Sequence, residues 1–564
     1  MNVLKKEQKI IDTSASRVKA ELVFKNASYL NVFTNSFVKA DVAICCGTIV
    51  GVGEYSGETE IDCTGKTLVP GFVDSHIHLE SSIITPQNFA KAVAPHGTTA
   101  VVTDPHEITN VMGYDGFDYM LEATENLPID VYFTVPSCVP ATQFDENGAK
   151  ITVNEVQKYI MNPRVLGLAE MMNFPAVCNG DAAVLQMIEA AQLSGKVVDG
   201  HAPQLNGKQL NAYIAAGVNS DHECTELCEA YEKLSLGQYI MIRQGTAGKN
   251  LEALLPLLKG ETYTRCLFAT DDKHPGELAI NGHIDYIIRK AILSGVRPEI
   301  AYKVASFNAC EYFGLKHRGA IAPGYRADFV LLDDINSVKI SAVYKNGAKL
   351  KFPLDIACEN VNPKLKDKAL NTMHVNKITP SSLKTKKPLE KVIGLIGGEI
   401  ITNDEGEASK IDIKQDVLKA CVVERHKNTG HIGICYVKGY GLKSGAVATS
   451  VAHDSHNIIA IGASDSDISA AVNSIIEMGG GMVVVNDGEV LESLQLNIAG
   501  LMTEQSLESV VENMNALKEA ASLLGVGDNI DPFMTLSFIS LPVIPSLKLT
   551  SLGVVDVNKF QLLD

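Results

Sequence analysis

Tryptophan is absent from this sequence, cysteine is dilute, and no uninterrupted apolar run is long enough to cross a membrane. A spanning helix needs roughly 18 or more consecutive apolar residues, so a membrane protein is not expected. The opening MNVLKKEQKIIDTSAS is charged and lacks the apolar core of a secretory leader, which makes the cytoplasm the expected compartment. The 12 cysteines lie mostly within apolar stretches, as in Ile44-Cys45-Cys46 and Arg265-Cys266-Leu267. None form a Cys-x-x-Cys pair, so neither a zinc ribbon nor a thioredoxin-like site is expected, and the thiols read as reduced and buried. An excess of basic charge is missing too: 49 Lys and Arg stand against 66 Asp and Glu, a formal net charge of -17. That balance argues against binding nucleic acid or an anionic membrane surface.

What is present is the composition of a soluble globular enzyme, with 46% hydrophobic residues and 45 glycines. At 564 residues the chain exceeds one ordinary core, so two or three domains are expected. Residues 20–67 hold short strand-like runs broken by turn signals, among them Glu21–Phe24, Asp41–Ile44 and Gly47–Val50. The same texture returns in 321–358, at Ala327–Leu332 and at Val343-Tyr344-Lys345-Asn346-Gly347, whose Asn-Gly signals a hairpin. The two segments are expected to pair in space as one small β-sandwich.

Between them, over 68–320, apolar strands alternate with helical patterns. Eight strands are predicted: Thr67–Ser75, Thr98–Asp104, Val131–Pro136, Val165–Glu170, Lys196–His201, Val218–His222, Tyr239–Arg243 and Cys266–Asp271. Eight β/α units over about 250 residues match a (β/α)8 barrel. The lysine-rich stretch 359–387 reads as a linker or exposed loop. Residues 388–564 alternate strand-like runs (Lys391–Glu399, His431–Lys438) with helical ones (Ser466–Met478, Glu504–Leu523), which predicts a separate α+β domain.

The chemistry is read from where polar residues fall. In such a barrel the reacting groups project from the C-terminal strand ends. Here those ends carry Asp74-Ser75-His76-Ile77-His78-Leu79-Glu80, then Asp104-Pro105-His106-Glu107, Glu170, His201, His222, Arg243 and Asp271-Asp272. His76 and His78 are two apart, so on an extended chain both rings point to one side. With Glu170, His201, His222 and Asp271 they make four imidazoles and two carboxylates converging on one mouth. That set suits two divalent ions about 3.5–4 Å apart sharing an activated water. A single such histidine is explained equally well by a bond to a backbone carbonyl; six across five strands are not. Asp104 and Arg243 are candidates as well, although salt bridges to each other or to neighbours would account for them.

The run Leu68-Val69-Pro70-Gly71-Phe72-Val73-Asp74-Ser75-His76-Ile77-His78 resembles the first-strand signature of the amidohydrolase superfamily, and Ile321–Val330 resembles its returning sandwich strand. Within that superfamily, Leu79-Glu80-Ser81-Ser82, Asp104–Ile108, Ser137–Ala141, Leu166–Met172, Ile242–Gly245 and Ala269–Asp272 are similar to bacterial adenine deaminases. The likeness continues at Ser450–Asn457 and Ser540–Pro545, so it spans most of the chain. The resemblance implies a binuclear site in which Glu170 takes the bridging position that a carbamylated lysine holds in other members. It implies manganese or iron, with zinc possible, and a homo-oligomer acting on adenine. Asp271 would be general base and acid, with Asp104 or Glu107 shuttling a further proton. Glu80, Ser81, Ser82 and Arg243 are candidates for contacts to the purine.

Two other readings of the ligand set stay open. The six ligands alone would fit an amidohydrolase of cyclic amides, dihydroorotase-like or imidazolone-type, or a scaffold that has kept the barrel. His222-Glu223 superficially matches the His-x-Glu of cytidine-type deaminases, but the Pro-Cys-x-x-Cys partner is absent, so that fold is set aside. The cluster His453-Asp454-Ser455-His456-Asn457 ends an apolar strand and reads as a surface loop, a contribution to the barrel mouth, or an extra metal site.

Overall fold

The computed structural model describes residues 3–356, 361–385 and 387–563. The last two positions of the expected sandwich, 357–358, and positions 359, 360 and 386 of the expected linker lie outside the described residues.

Among the described residues, eight parallel strands form the barrel: β1 (Phe72–Ile77), β2 (Thr98–Thr103), β3 (Asp130–Val135), β4 (Val165–Met171), β5 (Val197–Gly200), β6 (Ser220–Asp221), β7 (Tyr239–Arg243) and β8 (Cys266–Ala269). Runs β1 to β5 and β6 to β8 are each continuous sheets. The barrel closes where the Asp271 amide donates to the His76 carbonyl at 2.9 Å, and where the Asn219 amide donates to Val198 O at 2.8 Å. The predicted sixth strand, Val218–His222, shortens to two residues. There the Asn219 and Ser220 side chains accept from the Val198 and Gly200 amides, so side chains replace part of the backbone ladder.

The predicted first strand divides in two. Thr67–Pro70 joins a sheet with Phe329–Asp334, pairing Val69 with Val330 and Leu68 with Leu331, while β1 enters the barrel. Gly71 is the break. A Cβ there would come within 2.3 Å of Thr99 Oγ1, so only glycine lets the chain pass β2 at this distance. The sandwich is thus built from both segments flanking the barrel: a six-stranded sheet and a four-stranded sheet of Thr48–Gly53, Asp41–Cys45, Ala20–Lys25 and Gly57–Asp62. Phe24, Phe329 and Tyr344 fill it with edge-on and stacked rings.

Among its described residues, the stretch expected as a linker holds regular structure. Pro363–Leu370 is a helix that buries Leu365 and Ala369, and Leu383 is buried further on. Its lysines sit on the outer side, Lys368 reaching Asp115 and Lys366 reaching Glu504, so a lysine-rich composition hid an amphipathic strap. The C-terminal domain is an eight-stranded, mostly antiparallel sheet. Alternation along its strands puts Ala448, Ile458 and Val483 against helix Asp465–Met478, and Val447, Ile459 and Val484 into the large core shared with the barrel. Thr503 exchanges backbone hydrogen bonds with Ile83 and Thr85, which fastens this domain beside the loop that follows β1.

Candidate metal centre and active site

The six residues expected as ligands converge on the barrel mouth. His76 lies on β1 and His78 just beyond it, with ring centroids 4.8 Å apart. Glu170 lies where the β4–β5 register shifts between Leu168 and Met171, an irregularity that re-aims its side chain into the mouth. Its two oxygens face different partners. Oε1 is 3.4 Å from His78 Nε2, and Oε2 is 2.6 Å from His201 Nδ1 and 3.1 Å from His222 Nε2. Asp271 holds a left-handed backbone, φ 57°, which a non-glycine residue keeps only where its surroundings enforce it. Its Oδ1 stands 3.1 Å from His78 Nε2 and 3.7 Å from His76 Nε2.

The supports are themselves buried polar groups. Asp74 accepts from the Thr270 amide and hydroxyl, binding β1 to the end of β8. Asp221 accepts from the amides of Ala202 and Glu223, the neighbours of His201 and His222. Tyr213 donates to Met171 O and accepts from the His201 amide, linking the ends of β4 and β5.

These atoms fit a metal. His78 Nδ1 lies 2.9 Å from the Asp104 carbonyl, which can only accept, so that nitrogen carries the hydrogen. In the neutral ring Nε2 would then carry the lone pair, facing Glu170 and Asp271 at 3.4 and 3.1 Å, a placement that a cation shared with the two carboxylates would satisfy. Among the described residues, His76 Nε2, His222 Nδ1 and Asp104 Oδ1 are buried without a hydrogen-bond partner. In the absence of a cation the imidazoles and carboxylates compensate one another: against burial, Asp271 and Glu170 raise His78, and Glu223 and Glu170 push His201 up to about 9. Burial penalises the carboxylates, yet His201 and His222 hold Glu170 well below its ordinary range, and Arg243 and His78 do the same for Asp271. Burial, with His222 and His78 close by, keeps His76 neutral, as a ligand must be.

The remaining candidates divide. Asp104 Oδ2 is 3.0 Å from His106 Nδ1, and Arg243 pairs with Asp271 and Glu223, so each salt-bridges to neighbours and not to the other. Glu80 is buried, accepting from the Ile108 amide through one oxygen, and burial with Glu107 nearby pushes it up to about 7. Ser81 donates to Asp272. Ser82 is buried, its hydroxyl donating to the Leu79 carbonyl.

His106, which the sequence reading passed over, sits 3.4 Å from Glu170 Oε1 and 3.5 Å from Glu107 Oε1. With His78, Asp104 and Glu170 it forms a buried group within metal-binding distance. Its signal was present in the Asp104-Pro105-His106-Glu107 motif. The 453–457 cluster is no surface loop: it is buried against the mouth, with His453 Nδ1 2.8 Å from Glu107 Oε1 and His456 Nε2 against Oε2.

An amidohydrolase family model matches residues 67–350, and the amidohydrolases are the metal-dependent hydrolases that this barrel and polar mouth define. A model of the adenine deaminase C-terminal domain matches residues 398–561. Over its length the sequence is 46% identical to adenine deaminase 2 of Carboxydothermus hydrogenoformans, covering 98% of each chain. It is 42% identical to the adenine deaminase of Clostridium acetobutylicum, over 96% of this chain and 97% of that one. Among solved structures, a β-aspartyl dipeptidase from Fervidobacterium islandicum AW-1 aligns with a TM-score of 0.44 at 18% identity, over 61% of this chain and 99% of the other. The chain belongs to the adenine deaminase family.

Proposed function

We propose that this chain hydrolyses adenine to hypoxanthine and ammonia, using two divalent cations held by His76, His78, Glu170, His201, His222 and Asp271. The observation that carries the reading is the division of Glu170, one oxygen toward His78 and His106 and the other toward His201 and His222. A carboxylate so placed between two imidazole sets suits a bridging ligand. Imidazole and carboxylate donors accept manganese, iron or zinc, and the family likeness favours the first two. Bound there, such cations supply Lewis acidity, making a water nucleophilic near neutral pH and stabilising charge on the added oxygen.

The protein's own groups move the protons. Asp271, kept ionised by Arg243, accepts the proton of the attacking water as oxygen adds to C6. N1 gains a proton through Glu107, the C6–N6 bond breaks as the amine departs with the proton that Asp271 took from water, and the proton of the added hydroxyl passes back to Glu107 as the C6 carbonyl forms. Glu107 is the proton carrier on the other side, with Asp104 orienting His106 between them. Glu80, Ser81, Ser82 and Arg243 are the candidates for the purine edge, the two serines as acceptors since each hydroxyl already donates, to Asp272 and to the Leu79 carbonyl. We further propose a cytoplasmic homo-oligomer acting on a free small molecule, with no nucleic acid or membrane partner.

The test is a comparison of kcat/KM for adenine, adenosine and dihydroorotate on manganese-loaded enzyme. Adenine is expected to exceed adenosine by roughly a thousandfold or more, because a site whose buried polar groups pair with the N9 side of the purine would reject a ribose there. Turnover of dihydroorotate alone would replace this reading with that of a cyclic amide hydrolase.

A further inference from the structure

We infer that His456 of the C-terminal domain is a positioning residue for the barrel, fixing the Glu107 carboxylate by a hydrogen bond that runs in one direction only. The inference rests on the proposed role of Glu107 as a proton carrier. Glu107, His453 and His456 lie within metal-binding distance of one another, so a further cation site is the competing reading.

The His456 tautomer decides between them. The Ala452 amide donates to His456 Nδ1 at 3.2 Å, and a backbone amide cannot accept. Nδ1 therefore bears the lone pair, and the neutral ring carries its hydrogen on Nε2, the atom that meets Glu107 Oε2. An Nε2 that bears a hydrogen offers no lone pair to a cation. It donates to the carboxylate, which keeps that oxygen an acceptor.

The ring is built to stay in place. Arg425, fully buried, donates through Nε to the His456 carbonyl and through its other nitrogens to Thr372 and Ala499 carbonyls. Asn457 accepts from the Arg425 amide at 3.1 Å and donates to the Glu146 carbonyl of the barrel at 2.7 Å. His426 Nε2 holds the Ser455 carbonyl at 2.7 Å. Every residue from 455 to 457 is thus pinned, and the imidazole is the part that crosses to the catalytic side. His453 is held differently: its ring lies against Phe538, and its Nδ1 meets Glu107 Oε1.

The experiment uses full-length manganese-loaded enzyme with adenine. His456→Asn keeps an acceptor for the Ala452 amide but falls short of Glu107, whereas His456→Gln extends an amide N–H toward it. His456→Asn is expected to lower kcat roughly 10- to 100-fold, the usual cost of losing such an orienting partner, with KM, metal content and Tm unchanged. His456→Gln is expected to recover most of that loss. His431→Ala, which removes a different cross-domain contact, to Glu146, is expected to retain full activity. If Glu107→Gln is fully active, the proton-carrier role fails and the inference falls with it. If Glu107→Gln is inactive while His456→Asn matches wild type, the inference alone is overturned. A His456→Asn protein that does not fold, or loses metal, overturns it too, since the ring would then hold the domain and not the carboxylate.

Discussion

The two ends of the barrel bury charge in opposite ways. At the N-terminal end, Asp130 at the start of β3 meets Lys345 and Arg318 at 2.5 Å and Arg326 at 2.9 Å, and Lys345 also reaches Asp328 and the Thr99 carbonyl. Lysine and arginine stay charged across the working pH range, and they fasten the sandwich to the barrel floor. At the mouth the carboxylates are met mainly by imidazoles, and His76, His222 and Asp104 keep buried atoms without hydrogen-bond partners. The floor is charge compensated by the chain itself; the mouth is arranged for a charge that the chain does not supply. Buried polarity marks a reactive site where its compensation is incomplete, and a structural one where permanent cations complete it.

The sharpest break of that comparison is Glu170→Gln. It should lower turnover at least about a thousandfold and reduce bound metal below two per chain by elemental analysis, while Tm of the metal-free protein stays close to wild type. A metal-replete, active variant would show that the mouth resembles the floor. Asp271→Asn should likewise cost orders of magnitude in kcat with the fold intact, because the shape remains and the base does not.

Asp130→Asn should do the reverse. Removing the anion takes away the carboxylate that Lys345, Arg318 and Arg326 share, leaving Lys345 with Asp328 alone, so stability falls by about 3 kcal/mol in denaturant titration while kcat per folded molecule is unchanged. Equal losses of activity at the floor and the mouth would erase the distinction.

The smallest effect concerns Asp145, a buried carboxylate of a third kind. It accepts from the Thr142 amide and hydroxyl, and burial, with Asp454 nearby, pushes it from 3.8 up to about 7. The folded protein thus holds this proton more tightly than the unfolded chain. Its contribution to stability is complete below about pH 4 and diminishes as pH rises toward about 7. Asp145→Asn should therefore gain on wild type steadily as pH rises through that window, each pKa unit crossed corresponding to about 1.4 kcal/mol at most. A Tm difference independent of pH would show that Asp145 is already ionised.

The strand ends were legible because an apolar run stops where burial by the barrel stops, so the first polar residue after it marks the mouth. That logic located His76, His78, Glu170, His201, His222 and Asp271 without any contact information. It passed over His106, which opens the helix His106–Met112 and does not end a strand. Arg243 was legible as a strand-end residue, but its partners are distant in sequence and its pairing with Glu223 has no local signal. The polarity of 453–457 was visible too; that it docks on Glu107, 349 positions away from His456, was not. The strap over 363–370 was misread because lysines dominate its composition, while burial depends on the few positions that face inward.

The split at Gly71 also sets an order of assembly. Strand Thr67–Pro70 pairs with Phe329–Asp334, about 260 residues further along the chain. During synthesis the six-stranded sheet cannot close until every barrel strand has emerged, so its completion is a late, long-range event with a large loop-closure cost. Until then the segment leading into β1 has only its N-terminal neighbours to anchor it. The residues that carry His76 and His78 acquire their final foundation only when the last sandwich strands arrive, which ties the appearance of a competent mouth to the arrival of a distant part of the polypeptide.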